Sequence, residues 1–404
     1  MLNVVVDKPY EFIPPHRGRF WATLLNLYLP FHLNRQWGLT SVECRGVEQL
    51  RESLSAGHGI LLTPNHCRPC DPMVMGMLVR QARTHAFIMA SWHLFMEGRF
   101  QAWLIRRAGA FSVYREGMDR AAVNTAIDIL ASAERPLIVF PEGVISRSND
   151  QLNTLMDGVA LMARSAARKC AKSLNGKVVV HPVAIKYLFG GEIEAALTPV
   201  LDEIEARLSW QPQHGLSLTD RIYKVGHALL GLKEMEYIGS PRTGPIADRL
   251  QVLINHILTL IEDERVKGVC DGSVVARVKR LRTAILPDLL TGDLEPTDLE
   301  HRWRQLADLY IAQQLSHYPP DYIRSRPTPE RLLETVERFQ EDLTDGARIH
   351  RPLKAVIRVG TAIEVSADRK RRDGDDPLMN EIEQQLEAML GELTDELTTV
   401  YDPA

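Results

Sequence analysis

Apolar positions in the first half of the chain alternate between short runs and helical spacing. Gly59-Ile60-Leu61-Leu62 is an apolar strand that leads straight into Thr63-Pro64-Asn65-His66. Ser41 to Cys44 is a short extended segment with a turn at Gly46, and Gly109 marks a turn before another short strand ending at Val113. Leu137 to Phe140 is a compact strand closed by Pro141. Between these, Val123, Ile127 and Leu130 share one face of a helix over Asp119–Glu134 that ends before Pro136. Leu155, Val159 and Met162 do the same over Thr154–Cys170. Val178 to Ile185 reads as a strand interrupted by Pro182, which predicts an edge or a strand end. Strands alternating with helices predict an α/β fold, a mixed sheet covered by helices.

The second half changes character. From about Ala195 to Gln340 the spacing is helical with almost no strand pattern, apart from a Gly/Pro-rich connector at Gly239–Pro245. Thr328-Pro329-Glu330 is a helix start, with a Thr cap and Pro in the first turn. Lys354–Val359 and Thr361–Val365 alternate again as strand, and Asp376–Leu397 returns to helix with Ile382, Leu386 and Leu390 inward. The expected organisation is an N-terminal segment (1–40), an α/β core (41–200), a largely helical insertion (201–350) and a final strand and helix that complete the core (351–404).

The apolar stretch Phe20–Asn34 is too short to span a bilayer and contains Asn26 and Pro30. Its Trp21, Tyr28 and Phe31, flanked by Arg17, Arg19 and Arg35, suit a segment lying in a headgroup region; a helix packed on the protein's own core is the other reading. Arg17 and Arg19 precede it as in a secretory signal, but no small-residue cleavage site follows, so none is expected. The uncharged run Leu250–Ile261, with Asn255 and flanking charges, reads as a buried helix.

Composition adds exclusions. The 404 residues are 45% apolar and 25% charged, ordinary globular values. Lys plus Arg is 48 and Asp plus Glu is 52, a net charge of −4, so no nucleic-acid partner is expected and any anion binding must come from a local patch. Five cysteines, an odd number, make no disulfide framework and point to a reducing compartment. There is no Gly-x-Ser-x-Gly elbow, Walker loop or intact Gly-x-Gly-x-x-Gly.

The sharpest local signal is Asn65-His66-Cys67-Arg68-Pro69-Cys70-Asp71. His66 and Asp71, just past a strand, suit a pair in which the carboxylate orients the imidazole and the free ring nitrogen takes a proton from an alcohol. Three further segments follow in order: Gly109-Ala110-Phe111-Ser112-Val113-Tyr114-Arg115, Phe140-Pro141-Glu142-Gly143, and Val180-His181-Pro182-Val183-Ala184-Ile185. The set resembles the glycerol-3-phosphate and lysophosphatidate acyltransferase family, whose blocks are Asn-His-x-x-x-x-Asp, Gly-x-Phe/Ile-x-x-x-Arg, Phe-Pro-Glu-Gly and a later Pro-containing strand. The likeness covers about Ser41–Leu188; Val356–Val365 is similar to the family's closing strand with less specificity.

The resemblance implies an O-acyltransferase that moves a fatty acyl group from an acyl thioester, on coenzyme A or acyl carrier protein, to a hydroxyl of a glycerophosphate or lysophospholipid. His66 would be the base and Asp71 its orienting partner. Asn65, Arg115, Glu142, Gly143 and Arg147 would form the substrate site, Arg115 on the phosphate and Glu142 on a hydroxyl or orienting an arginine. No metal or cofactor is implied. A cytoplasmic location, peripheral on the inner face of a membrane, is expected. One departure bears on the acceptor: Thr-Arg often follows Phe-Pro-Glu-Gly, but here Val144-Ile145 stands there and the next arginine is Arg147.

Two other readings compete. The altered block and the insertion suit a non-catalytic lipid-binding or scaffold protein. Cys67 and Cys70 form a Cys-x-x-Cys suited to redox or zinc chemistry, although no second pair completes a four-thiolate site. His85, His93 and His181 are read as packing residues. Trp92, Phe95, Phe100 and Trp103 fit either an acyl-chain tunnel or helical core, and Arg369–Arg372 fits a solvated loop or a headgroup contact.

Overall fold

The computed structural model describes residues 8–117, 119–173, 176–268, 270–291, 294–319, 321–344, 346–367 and 376–402. The basic cluster Arg369–Arg372 lies outside the described residues. The strands are β1 (Leu39–Arg45), β2 (Gly59–Pro64), β3 (Phe87–Ser91), β4 (Ala110–Val113), β5 (Leu137–Ile138), β6 (Val178–Phe189), β7 (Leu353–Val359) and β8 (Ile363–Glu364). They form one mixed sheet in the order β1-β7-β6-β2-β5-β3-β4, with β8 beside β6. The run β6-β2-β5-β3-β4 is parallel, whereas β7 and β8 lie antiparallel to β6. This is the α/β architecture expected from the alternation of strand and helix patterns.

Alternate side chains of the central strands enter two separate cores. Ile60, Leu62, Val179, Val183, Ile185 and Tyr187 face one side of the sheet; Leu61, Val178, Val180 and Ala184 face the other. The first face is covered by α1 (Phe20–Trp37), α2 (Val47–Ser55) and α3 (Asp71–Gln81), through residues such as Leu33, Leu50, Val74 and Leu78. Beyond α4 (Arg99–Arg107), the second face is covered by α5 (Arg120–Ser132) and α6 (Gly158–Ser173). The strand β2 is packed so tightly against α5 that a Cβ on Gly59 would stand 2.0 Å from the Leu130 carbonyl oxygen.

The helical stretch after β6 is divided between two cores. α7 (Ile193–Arg207) and the start of α8 (Leu218–Ile238) join the first core, whereas α9 (Ile246–Arg265), α10 (Val274–Thr291) and α11 (Pro296–Ser316) enclose a cluster of their own around Leu253, Ile257, Leu281 and Leu309. The short α12 (Tyr322–Ser325) leads into α13 (Pro329–Thr344), which returns to the first core; α14 (Pro377–Leu397) closes the second. The expected boundary at 200/201 thus falls inside α7, whose Leu197, Val200, Leu201 and Ile204 all belong to the first core, where α7 meets α13 and α8. Buried ion pairs tie the successive helices: Arg221 to Glu205 at 2.8 Å, Arg249 to Glu234 at 2.7 Å and Arg277 to Glu262 at 2.8 Å.

Pro182 does not mark an edge or a strand end. β6 runs seven residues past it, paired with β7 along that whole length. The Val183 carbonyl accepts from Asn65 N on the β2 side, so the groups of Pro182 face the other way, where its carbonyl accepts from Gly360 N at 2.8 Å. On that side β8 pairs up to Val180 and β7 begins at Val183, so the missing N–H falls in the gap between them.

β6 also outruns β2, and side chains replace the absent strand. The Asn65 amide takes the Ile185 N–H (2.7 Å) and donates to the Ile185 carbonyl (3.1 Å). Asn149 repeats this at Tyr187, accepting from N at 2.8 Å and donating to O at 2.6 Å. Glu330 accepts the Phe189 N–H at 3.0 Å. Every second residue thus finds the partner that a buried strand requires.

Candidate active site

The carboxyl ends of parallel strands open on one side of a sheet, and loops there carry the groups that meet ligands. His66 follows β2, Glu142 follows β5, His93 follows β3 and Arg115 follows β4. His66 and Asp71 meet across the tight turn that starts α3. The His66 Nδ1–H donates to Asp71 Oδ2 at 2.8 Å. Asp71 is fully buried in the first turn of α3, where the helix dipole favours a carboxylate. Its Oδ2 also accepts the Arg68 N–H at 2.9 Å, and its Oδ1 accepts the Tyr187 hydroxyl at 2.5 Å. The His66 ring lies on Phe140, with centroids 4.1 Å apart. Its side chain stays 15% exposed, and Nε2 has no partner among the described residues. The imidazole is therefore fixed in tautomer and plane, with the basic nitrogen outward.

Glu142 holds the His66 loop to the loop after β5. Its Oε1 accepts the His66 N–H at 2.6 Å and its Oε2 the Asn153 N–H at 3.0 Å. Burial pushes its carboxyl up to about 8, against the pull of those two donors toward the ionised form. Among the described residues no arginine contacts it, so the expected arginine-orienting role finds no support in the geometry. Gly143, at φ +67°, turns the chain under Met156, whose Sδ would lie 2.3 Å from a Cβ there. From this loop Ser146 N–H donates to the His66 carbonyl at 2.7 Å.

The remaining expected site residues are placed differently. Asn65 is buried and turned to the β6 backbone, so it positions the strand end and does not face an open space. Arg147 projects to the helical stretch and pairs with Glu341 of α13 at 2.8 Å. There it borders a cavity of about 720 Å³ between α8, α9, α11 and α13, lined by Leu229, Leu230, Ile311, Leu315 and Phe339 among others. Arg115 lies three strands from His66, roughly 14 Å at the level of the sheet. It forms no hydrogen bond or ion pair among the described residues, and burial lowers its guanidinium from the ordinary value. His93 beside it bonds Ser91 Oγ at 2.8 Å; burial first, then Arg115 and Arg282, push it down to about 4.

Cys67 and Cys70 are free and buried behind Asp71, and burial drives both thiols upward, Cys70 to about 12. Thiols so far from ionisation are poor nucleophiles and poor ligands, so the pair acts as packing. His181 is buried between Ser53 Oγ and the Gly360 carbonyl, both at 2.9 Å, as a packing histidine. Tyr187 and Asn153 were not singled out by sequence. Tyr187 is 116 positions from Asp71 on a strand that looked finished at Ile185, and only its place on β6 could have marked it.

A family model described as Acyltransferase matches residues 41–186. The 1-acyl-sn-glycerol-3-phosphate acyltransferase of Streptococcus pneumoniae (strain ATCC BAA-255 / R6) is 35% identical over 107 residues, which cover 26% of this chain and 37% of that relative. The likeness spans little more than a third of the relative's length, and the family model covers the chain from β1 into β6, including the His66 site.

Removing the hydroxyl that Tyr187 gives to Asp71 leaves a buried carboxylate short of one donor. Tyr187→Phe is expected to lose about 1–3 kcal/mol of stability in urea denaturation. An unchanged midpoint would mean that this bond does not support Asp71.

Proposed function

We propose, on the premise that residues 41–186 form an acyltransferase-family domain, that the protein transfers a fatty acyl group from an acyl thioester to a hydroxyl of a glycerophosphate or lysophospholipid. The observation that carries this reading is the His66–Asp71 bond with Nε2 left open. His66 Nε2 takes the proton of the acceptor hydroxyl as its oxygen attacks the thioester carbon. The C–O bond forms, the C–S bond breaks, and the proton passes to the leaving thiolate. Asp71 stabilises the imidazolium that exists between these steps, and the Tyr187 and Arg68 donors hold Asp71 in place. Coenzyme A or acyl carrier protein would carry the acyl group.

The same reading places the protein peripherally on the inner face of a membrane. No helix among the described residues is long and apolar enough to cross one. α1 packs on the core through Ala22, Leu29 and Leu33, yet its other side leaves Phe20, Leu24, Leu27, Tyr28 and Phe31 exposed. Trp21 meets Trp103 of α4 at 4.9 Å between centroids, and Phe100 stacks on Trp103, extending the apolar surface onto a second helix. Exposed Arg19, Arg35, Arg99 and Arg106 suit anionic headgroups. The odd number of cysteines, five, suits a reducing compartment.

Two measurements test these statements. With an acyl thioester and lysophosphatidate, thiol release by His66→Ala is expected to fall by about 10²–10⁴ relative to the wild type; equal rates would remove His66 from the chemistry. In co-sedimentation with vesicles containing anionic lipid, Phe100→Ser with Trp103→Ser is expected to weaken binding by about tenfold or more. Undiminished binding would mean that α4 does not meet the lipid.

A further inference from the structure

Most buried arginines in this protein are matched with a carboxylate; of the others, Arg338 donates to the His317 and Gln314 carbonyls, and Arg135 donates to the Arg17 carbonyl with Glu134 3.9 Å away. Arg221, Arg249, Arg277 and Arg331 each lie within 2.9 Å of Glu205, Glu234, Glu262 or Asp150. Arg282, on the same helix as Arg277, is different. It is only 5% exposed, forms no ion pair among the described residues, and its Nε lacks any hydrogen-bond partner. Its charged neighbours are Arg115 and Glu116, with the Tyr310 phenol beyond. Arg115 likewise has no ion-pair partner among the described residues, and burial, Arg115 and Arg282 push nearby His93 down to about 4.

The two arginines are brought together by a direct contact between their elements. Thr283 Oγ1 donates to the Glu116 carbonyl at 2.8 Å, which docks α10 on the turn that carries Arg115. Tyr114 packs against the α9–α11 cluster beside it. Tyr310 feels the charges of both Arg282 and Arg147, and it lines the same cavity as Arg147. Two desolvated guanidiniums that share only the field of Glu116, with no ion pair to it among the described residues, are costly unless an anion joins them. The fixed fork of each matches phosphate oxygens, and a phosphate monoester carries nearly two charges for the two cations.

We propose that Arg282, supplied by the helical stretch outside the acyltransferase-family segment, pairs with Arg115 to bind the phosphate monoester of the acceptor. This rests on the acyl-transfer reading for the identity of the ligand, but not for the existence of the anion site. It also accounts for Val144-Ile145: the arginine missing after Phe-Pro-Glu-Gly is replaced from α10, and Arg147 is already neutralised by Glu341.

The test is titration calorimetry of the full chain with glycerol 3-phosphate and with inorganic phosphate, beside acceptor and donor kinetics. Arg282→Met is expected to weaken phosphate-ester binding about 10- to 100-fold and to raise the acceptor KM equally, leaving the donor KM within about twofold. Arg282→Lys should recover part of the loss. Without phosphate, Arg282→Met should melt at or above the wild-type temperature, because an uncompensated buried charge is gone; glycerol 3-phosphate should raise the melting temperature of the wild type and not of the variant. A variant that melts lower and binds glycerol 3-phosphate as tightly as the wild type overturns the proposal by making Arg282 structural. A rise in donor KM alone overturns it by assigning the site to phosphates of the acyl carrier. Arg282-dependent phosphate binding in a chain that transfers no acyl group would support the anion site and overturn the acyl-transfer reading.

Discussion

A single buried carboxylate organises the site. Asp71 has no exposure, and a charge so placed persists only when hydrogen-bond donors replace its water. The imidazole of His66, the Arg68 amide and the Tyr187 hydroxyl do this from three directions, and the first turn of α3 adds its dipole. Each donor comes from a different part of the architecture: the β2 exit, the α3 turn and the far end of β6. The ring of His66 is aimed because Asp71 is held, and Asp71 is held because β6 reaches that far.

That reach depends on polar side chains acting as strand. Asn65, Asn149 and Glu330 take over backbone pairing of β6 where β2 stops. Asn149 itself lies on the loop that passes beneath His66 through Ser146 and hands Asn153 to Glu142. The loop after β5 is therefore tied to both the base and the strand that supports it. Lys186, buried on the same strand, pairs with Asp150 of that loop, and Arg331 joins Asp150 from α13 at 2.8 Å. Burial opposes ionisation of Asp150, yet Lys186 and Arg331 hold its carboxyl below the ordinary value. The helical stretch is thus coupled to the site mechanically, through α13, and electrostatically, through α10.

Local chemistry was legible in the sequence and long-range chemistry was not. His66 and Asp71 are five positions apart in one turn, so their meeting follows from the chain's own geometry. Strands β2, β4 and β7 announced themselves as apolar runs or alternations bounded by turns, and Glu142 followed a strand closed by proline. Tyr187 was hidden because Pro182 looks like a strand end, and only a gap between β7 and β8 makes it harmless. Asn65 was placed in the substrate site through the family resemblance of its block, whereas the unpaired end of β6 claims it. Arg282 sits among Arg277, Lys279 and Arg280, where an arginine reads as part of a solvated face; its burial is fixed by the packing of α10 on the Arg115 turn.

The central claim is that Asp71 fixes the protonation site of His66, leaving Nε2 as the base. Nitrogen-15 NMR of a histidine-labelled chain measures this directly, with His66→Gln used to identify the signal. A proton on Nδ1 and a bare Nε2 are expected in the wild type, with loss of that preference in Asp71→Asn. A ring protonated at Nε2 in the wild type, or one unaltered by Asp71→Asn, would contradict it.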